Sequence, residues 1–149
     1  MGTRPLVRKV SNIQRTLSGA QAIFGANRIL FVDPDIVDTM PTDGPDEVEL
    51  HYFALDGLAT DEELALEFQR RNLRPDPRAQ AADNEQNRSF ADSCPNGGHW
   101  KNTKGEWCYF ACTTEGARRV VFCGRADDPR NLNRQWNTAF RFAGVLISL

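Results

Sequence analysis

Residues 99–112 read HWKNTKGEWCYFAC, two aromatic-rich runs on either side of Asn102, Thr103, Lys104 and Gly105. Aromatic side chains suit a pleated surface, and Asn and Gly tolerate the backbone angles of a tight turn, so this stretch predicts a β-hairpin. A second turn at residues 114–117 leads into RRVVFC at 118–123. A polar loop with Asp127, Asp128 and Pro129 then precedes a last strand expected near residues 140–149. The C-terminal part is thus expected to be an antiparallel meander of three or four strands.

Alternation along the hairpin puts Trp107 and Tyr109 on one face and Cys108 and Phe110 on the other. A short sheet that is apolar on both sides has to be covered twice, by helices of the same chain or by a partner.

Upstream, Thr60 and Glu63 form a T-x-x-E capping box, in which each side chain satisfies the other's backbone donor. Leu64 and Phe68, flanked by Leu66 and Leu73, supply the buried stripe of the helix that follows. Arg70 and Arg71 suit its C-terminal dipole, and Pro75 and Pro77 are expected to stop it. Residues 78–92 are mostly polar and predict only an irregular or weakly helical crossing segment.

Residues 47–55 predict a strand with Val48, Leu50, Tyr52 and Ala54 on one face, residues 38–46 a loop, and residues 28–32 a short strand. Near the N-terminus, Ser11 as cap, the spacing of Ile13, Leu17, Ala20 and Phe24, and Gly25 beyond them predict a helix over 12–24. The fold class is therefore α+β: an N-terminal helix and short strands, one capped amphipathic helix, and a C-terminal meander.

A chain of 149 residues is expected to form one domain. Within it the sequence suggests a basic segment at 1–27, an acidic strand-helix region at 28–96 and an aromatic meander at 97–149. Charge is sharply partitioned along the chain. Residues 1–32 hold five basic side chains (Arg4, Arg8, Lys9, Arg15, Arg28) and no acid, whereas residues 33–96 hold sixteen acids against five arginines. The basic start either meets an acidic partner or folds back on the acidic middle. An Arg-rich, Ser-containing, acid-free start also fits a mitochondrial targeting segment. No secretory h-region is present, and the apolar run at 142–149 is too short to cross a bilayer, so a soluble intracellular protein is expected.

Four cysteines and two histidines are the groups with most scope for chemistry. If the hairpin closes through a two-residue loop and the next turn is symmetric, Cys108 lies opposite both His99 and Cys123, with Cys94 nearby. Cys94, His99, Cys108 and Cys123 would then hold zinc tetrahedrally. An Asn-x-x-Gly turn with a glycine bulge instead pairs Trp100 with Cys108 and separates the set. No pair has the C-x2-C spacing of zinc ribbons, and buried cysteine behaves as a small hydrophobe, so reduced core cysteines are the competing reading.

Phosphate-loop, dinucleotide-binding, zinc-protease and serine-hydrolase motifs are missing from the sequence, and no catalytic residue is assigned. The expected function is that of a non-catalytic accessory or scaffold subunit of a larger protein assembly. It would dock through Arg4, Arg8, Lys9 and Arg15 as electrostatic contacts and Trp100, Trp107 and Tyr109 as anchors. The first alternative is the zinc module. The second is single-stranded nucleic-acid binding, since aromatic sheets beside lysine and arginine can stack bases.

Overall fold

The computed structural model describes residues 6–15, 29–32, 34–116, 118–126 and 135–147. Its elements run β1 (Leu6–Val10), β2 (Ile29–Val32), α1 (Pro34–Val37), β3 (Val48–Ala54), α2 (Asp61–Arg70), β4 (Leu73–Pro75), α3 (Pro77–Gln86) and α4 (Phe90–Ser93). The rest is strand: β5 (Asn96–Lys101), β6 (Trp107–Glu115), β7 (Arg118–Arg125) and β8 (Arg141–Leu146). Strands from all three sequence regions join one sheet, in the order β1-β3-β8-β5-β6-β7-β2, with β4 attached to β8 off that path. The mixed α and β content agrees with the sequence reading. No described helix is long and apolar enough to cross a membrane.

The hairpin forms where the aromatic runs place it. Gly105 N–H donates to the Asn102 carbonyl at 3.0 Å and Gly105 sits at φ +77°, the left-handed position that glycine fills without a Cβ penalty. This is the bulged closure, and it pairs Trp100 with Cys108 and His99 with Tyr109. The next turn is two residues tighter than a symmetric closure, with Glu115 opposite Arg118 and Cys108 opposite Arg125. The meander ends after three strands. β8 leaves it, runs antiparallel to β3 and touches β5 in parallel through Asn96 and Arg141.

The capping box forms as read: Glu63 N–H donates to Thr60 Oγ1 at 3.2 Å and Thr60 N–H to Glu63 Oε1 at 3.0 Å. The helix stops at Arg70, before either proline, because Asn72 takes the left-handed conformation (φ +58°) that turns the chain into β4. Leu64 and Phe68 are buried, Leu73 is buried within β4, and Leu66 faces solvent.

Both faces of the meander are covered by the chain itself. Trp100, Cys108, Phe110, Cys112 and Cys123 pack under Ile36, Met40, Ala81 and Ala91. Tyr109 and Ala111 pack on the other side with Leu64 and Phe68 of α2 and with Trp136 and Phe142.

Two expectations fail. The helix over 12–24 is absent in the part that is described, and residues 16–24 lie outside the described residues. Asn12 has φ +57°, which breaks helical propagation where the first turn would begin. The preceding residues form β1, paired along its length with β3. The second failure is the polar stretch 78–92, which forms α3 and α4. Asp76 caps α3, its side chain accepting from Ala79 N–H, and Pro77 supplies the first-turn proline.

Helix α3 is buried in spite of its composition: Arg78, Gln80, Asp83 and Asn84 are each no more than 1% exposed. Burial of this kind is tolerable because the polar atoms are bonded. Gln80 Nε2 donates to Asn96 Oδ1 (3.0 Å) and to the Gly97 carbonyl (2.8 Å), while Asn84 and Asn96 exchange amide bonds at 2.7 and 2.9 Å. Arg78 donates to the carbonyls of Met40 and Pro41, tying the preceding loop to the helix.

Candidate functional site

The basic N-terminal segment folds back on the acidic middle wherever it is described. Arg8 places a fork on Asp83, with Nε at 2.7 Å and Nη2 at 3.1 Å, and Tyr52 and Asn87 donate to the same carboxylate. Arg15 forks onto Asp76 at 2.7 and 2.9 Å and donates to the Pro45 carbonyl. Asp76 and Asp83 are seven residues apart, two turns of α3, so one helix face holds both arginines. Lys9 lies 3.6 Å from Glu47 on the surface. Arg8 and Arg15 are thus engaged in ion pairs within the chain; Arg4 lies outside the described residues. Burial in this cluster also pushes the Tyr52 phenol well above its ordinary range.

The aromatic anchors part company in the same way. Trp100 (4% exposed) and Tyr109 (7%) belong to the two core clusters, which removes them as docking residues. Trp107 alone of the three is half-exposed.

The four sulfur and imidazole groups do not converge. With Trp100 opposite Cys108, the side chain of His99 points to the α2 face, whereas Cys108 and Cys123 point to the α3 face. The proposed zinc set is split across the sheet by the bulged turn, a one-residue difference in register that inverts facing. Among the described residues no group of three or more histidine, cysteine, aspartate or glutamate side chains can hold a metal ion.

None of the four cysteines is in a disulfide, and three are buried. Burial pushes the Cys94 and Cys108 thiols up, which keeps them protonated at neutral pH. A thiol reagent at neutral pH is expected to label Cys94 slowly and no other cysteine until the protein is unfolded. Rapid native labelling of Cys108, Cys112 or Cys123 would show that this core is open.

The arrangement that sequence reading missed centres on His99. Its Nδ1 lies 2.9 Å from Asp61 Oδ1, and the indole N–H of Trp136 donates to that same oxygen at 2.9 Å. Indole N–H is a donor only, which marks Oδ1 as an acceptor, so His99 Nδ1 donates to it. In the neutral ring this leaves Nε2 as the acceptor nitrogen. The imidazole is stacked between Phe68 and Trp107, with centroids 5.7 and 4.3 Å away. Asp61 comes from the first turn of α2, His99 from β5 and Trp136 from the segment before β8, so no local motif signals the cluster.

Beside this stack lies an open groove of about 390 Å³. Its walls include Ala65, Phe68 and Gln69 of α2, Leu73 and Pro75 of β4, and His99, Lys101 and Trp107 of the hairpin. Lys101 Nζ sits 4.9 Å over the Trp107 ring, a cation–π contact, and Trp107 Nε1 donates to Glu62 on the far side. The described lining carries no serine, threonine, cysteine or tyrosine, so His99 has no nucleophile to activate there. The lining of Phe68, Leu73, Pro75 and Trp107 suits an apolar group.

No protein-family model matches the chain, and neither the curated proteins nor the solved structures give a match.

Proposed function

We propose that the protein is a non-catalytic binding module and that the groove between α2 and the β5–β6 hairpin is its binding site, a reading distinct from the assembly-subunit role expected from the sequence. The supporting observation is Trp107. Of the expected anchors it alone keeps an accessible ring, and it does so beside a cavity in the size range of small-molecule sites, roughly 300–1,000 Å³. Among the described residues, Arg8, Lys9 and Arg15 pair with acids of the same chain, and Trp100 and Tyr109 are buried.

The test is a titration with a neutral aromatic probe, 2-naphthamide, followed by amide shifts in nitrogen-labelled protein. Saturable shifts are expected at Gln69, Lys101 and Trp107, with an affinity of about 1 mM for a ligand of this size. Ala65→Phe, which fills the groove from the half-buried surface of α2, should remove them. Shifts scattered over other surfaces, or unaltered by Ala65→Phe, would overturn the assignment.

A further inference from the structure

We infer that the ligand of this groove is a small anionic amphiphile: a flat apolar body carrying a carboxylate at one end. This rests on the groove being the binding site and adds the charge of what it takes.

The chain carries 20 acids and a net charge of −2, yet no acid is among the described residues that line the groove. Its two charged lining residues are both cations, Arg74 and Lys101. Lys101 is exposed, and the Arg74 side chain is 45% exposed, with one loose contact of 3.5 Å to the still more exposed Asp43. The inner wall is different. There Phe68 and His99 are 2% exposed, their rings stacked on each other.

Polarity therefore runs along one direction, from aromatic rings inside to two cations at the rim. A carboxylate does not belong at the inner end, where the lining is buried and largely aromatic. It belongs at the rim, between Lys101 and Arg74, with the apolar body against Trp107. The volume suits a small molecule and not a protein segment crossing the surface. Two acids lie near these cations, Asp43 at 3.5 Å from Arg74 and Glu62 bonded to Trp107 Nε1 at 3.1 Å, and neither lines the groove.

The experiment compares three isosteric probes on the intact protein: 2-naphthoate, 2-naphthamide and 2-naphthylmethylammonium. At low salt naphthoate should bind about fivefold to tenfold more tightly than the amide, the scale of two solvent-exposed ion pairs, and the ammonium more weakly than both. In the double variant Lys101→Met/Arg74→Met the preference for naphthoate over naphthamide, both measured on that variant, should disappear. Equal binding of the three probes at the groove overturns the charge assignment and leaves the groove standing. Preference for the ammonium overturns it as well. Failure of all three overturns the groove and, with it, this inference.

Discussion

Arg8→Met should lower the stability of the protein by about 3–5 kcal/mol, as read from urea unfolding at neutral pH. The side chain of Arg8 is 27% exposed and that of Asp83 only 1%. Removing the arginine leaves a carboxylate buried with neutral donors, Tyr52 and Asn87, and no counter-charge. The reverse change is predicted to be milder. Asp83→Asn keeps an acceptor oxygen for Tyr52, and the guanidinium of Arg8 can turn toward water. The asymmetry is the informative quantity. If Asp83→Asn proves as damaging as Arg8→Met, the cost does not come from stranding a buried anion, and the account of the α3 cluster given above is wrong.

The second large effect is expected at Gly97. A Cβ there would stand 2.7 and 2.8 Å from the Trp136 ring and 2.9 Å from the Phe110 carbonyl oxygen, all closer than carbon atoms are found. The ring could shift, but the carbonyl belongs to the neighbouring strand, and moving it disturbs the β5–β6 ladder. Gly97→Ala should therefore cost about 1–3 kcal/mol, the range for overpacking a filled core. Because Trp136 also donates to Asp61, displacement of the indole should disturb the His99 ring and show as shifts at Trp107. Gly57→Ala is the matched control, since nothing lies within 4 Å of its added carbon. Comparable unfolding midpoints for the two variants would rule out close packing at Gly97.

How much of this was legible follows from the range over which each signal acts. The capping box of α2 is complete within four residues, and it forms as written. The two apolar faces of the hairpin follow from simple alternation, and the bulged turn was one of two readings that Asn102 and Gly105 allowed. Helix α3 was hidden because its inward face is Arg78, Gln80, Asp83 and Asn84, which reverses the usual pattern of apolar residues inside. The partners that make this tolerable, Arg8, Tyr52 and Asn96, lie 12 to 75 residues away in the chain. Asp76 and Pro77 did mark its start, as cap and first-turn proline, and could have been weighed above the polar composition. The groove was less visible still. Trp107 was one of three aromatic residues offered as anchors, with nothing in the sequence to set it apart from Trp100 and Tyr109, and the pairing of His99 with Asp61 spans 38 residues and depends on a strand register that the sequence left open.

The position of β8 has a consequence for how the chain acquires its structure. It is the last of the described strands to be synthesised, and it lies between β3 and β5, the junction of the sheet. Before residues 141–146 leave the ribosome, β1 and β3 form one ribbon and β5, β6 and β7 another, with no described strand pairing to link them. Each ribbon then exposes an open edge, the kind of surface on which nascent chains pair wrongly. Completion of the sheet thus waits on β8 and is slowed by the long loops it must close. A chain truncated before β8 should remain protease-sensitive, because its two ribbons have no strand to join them.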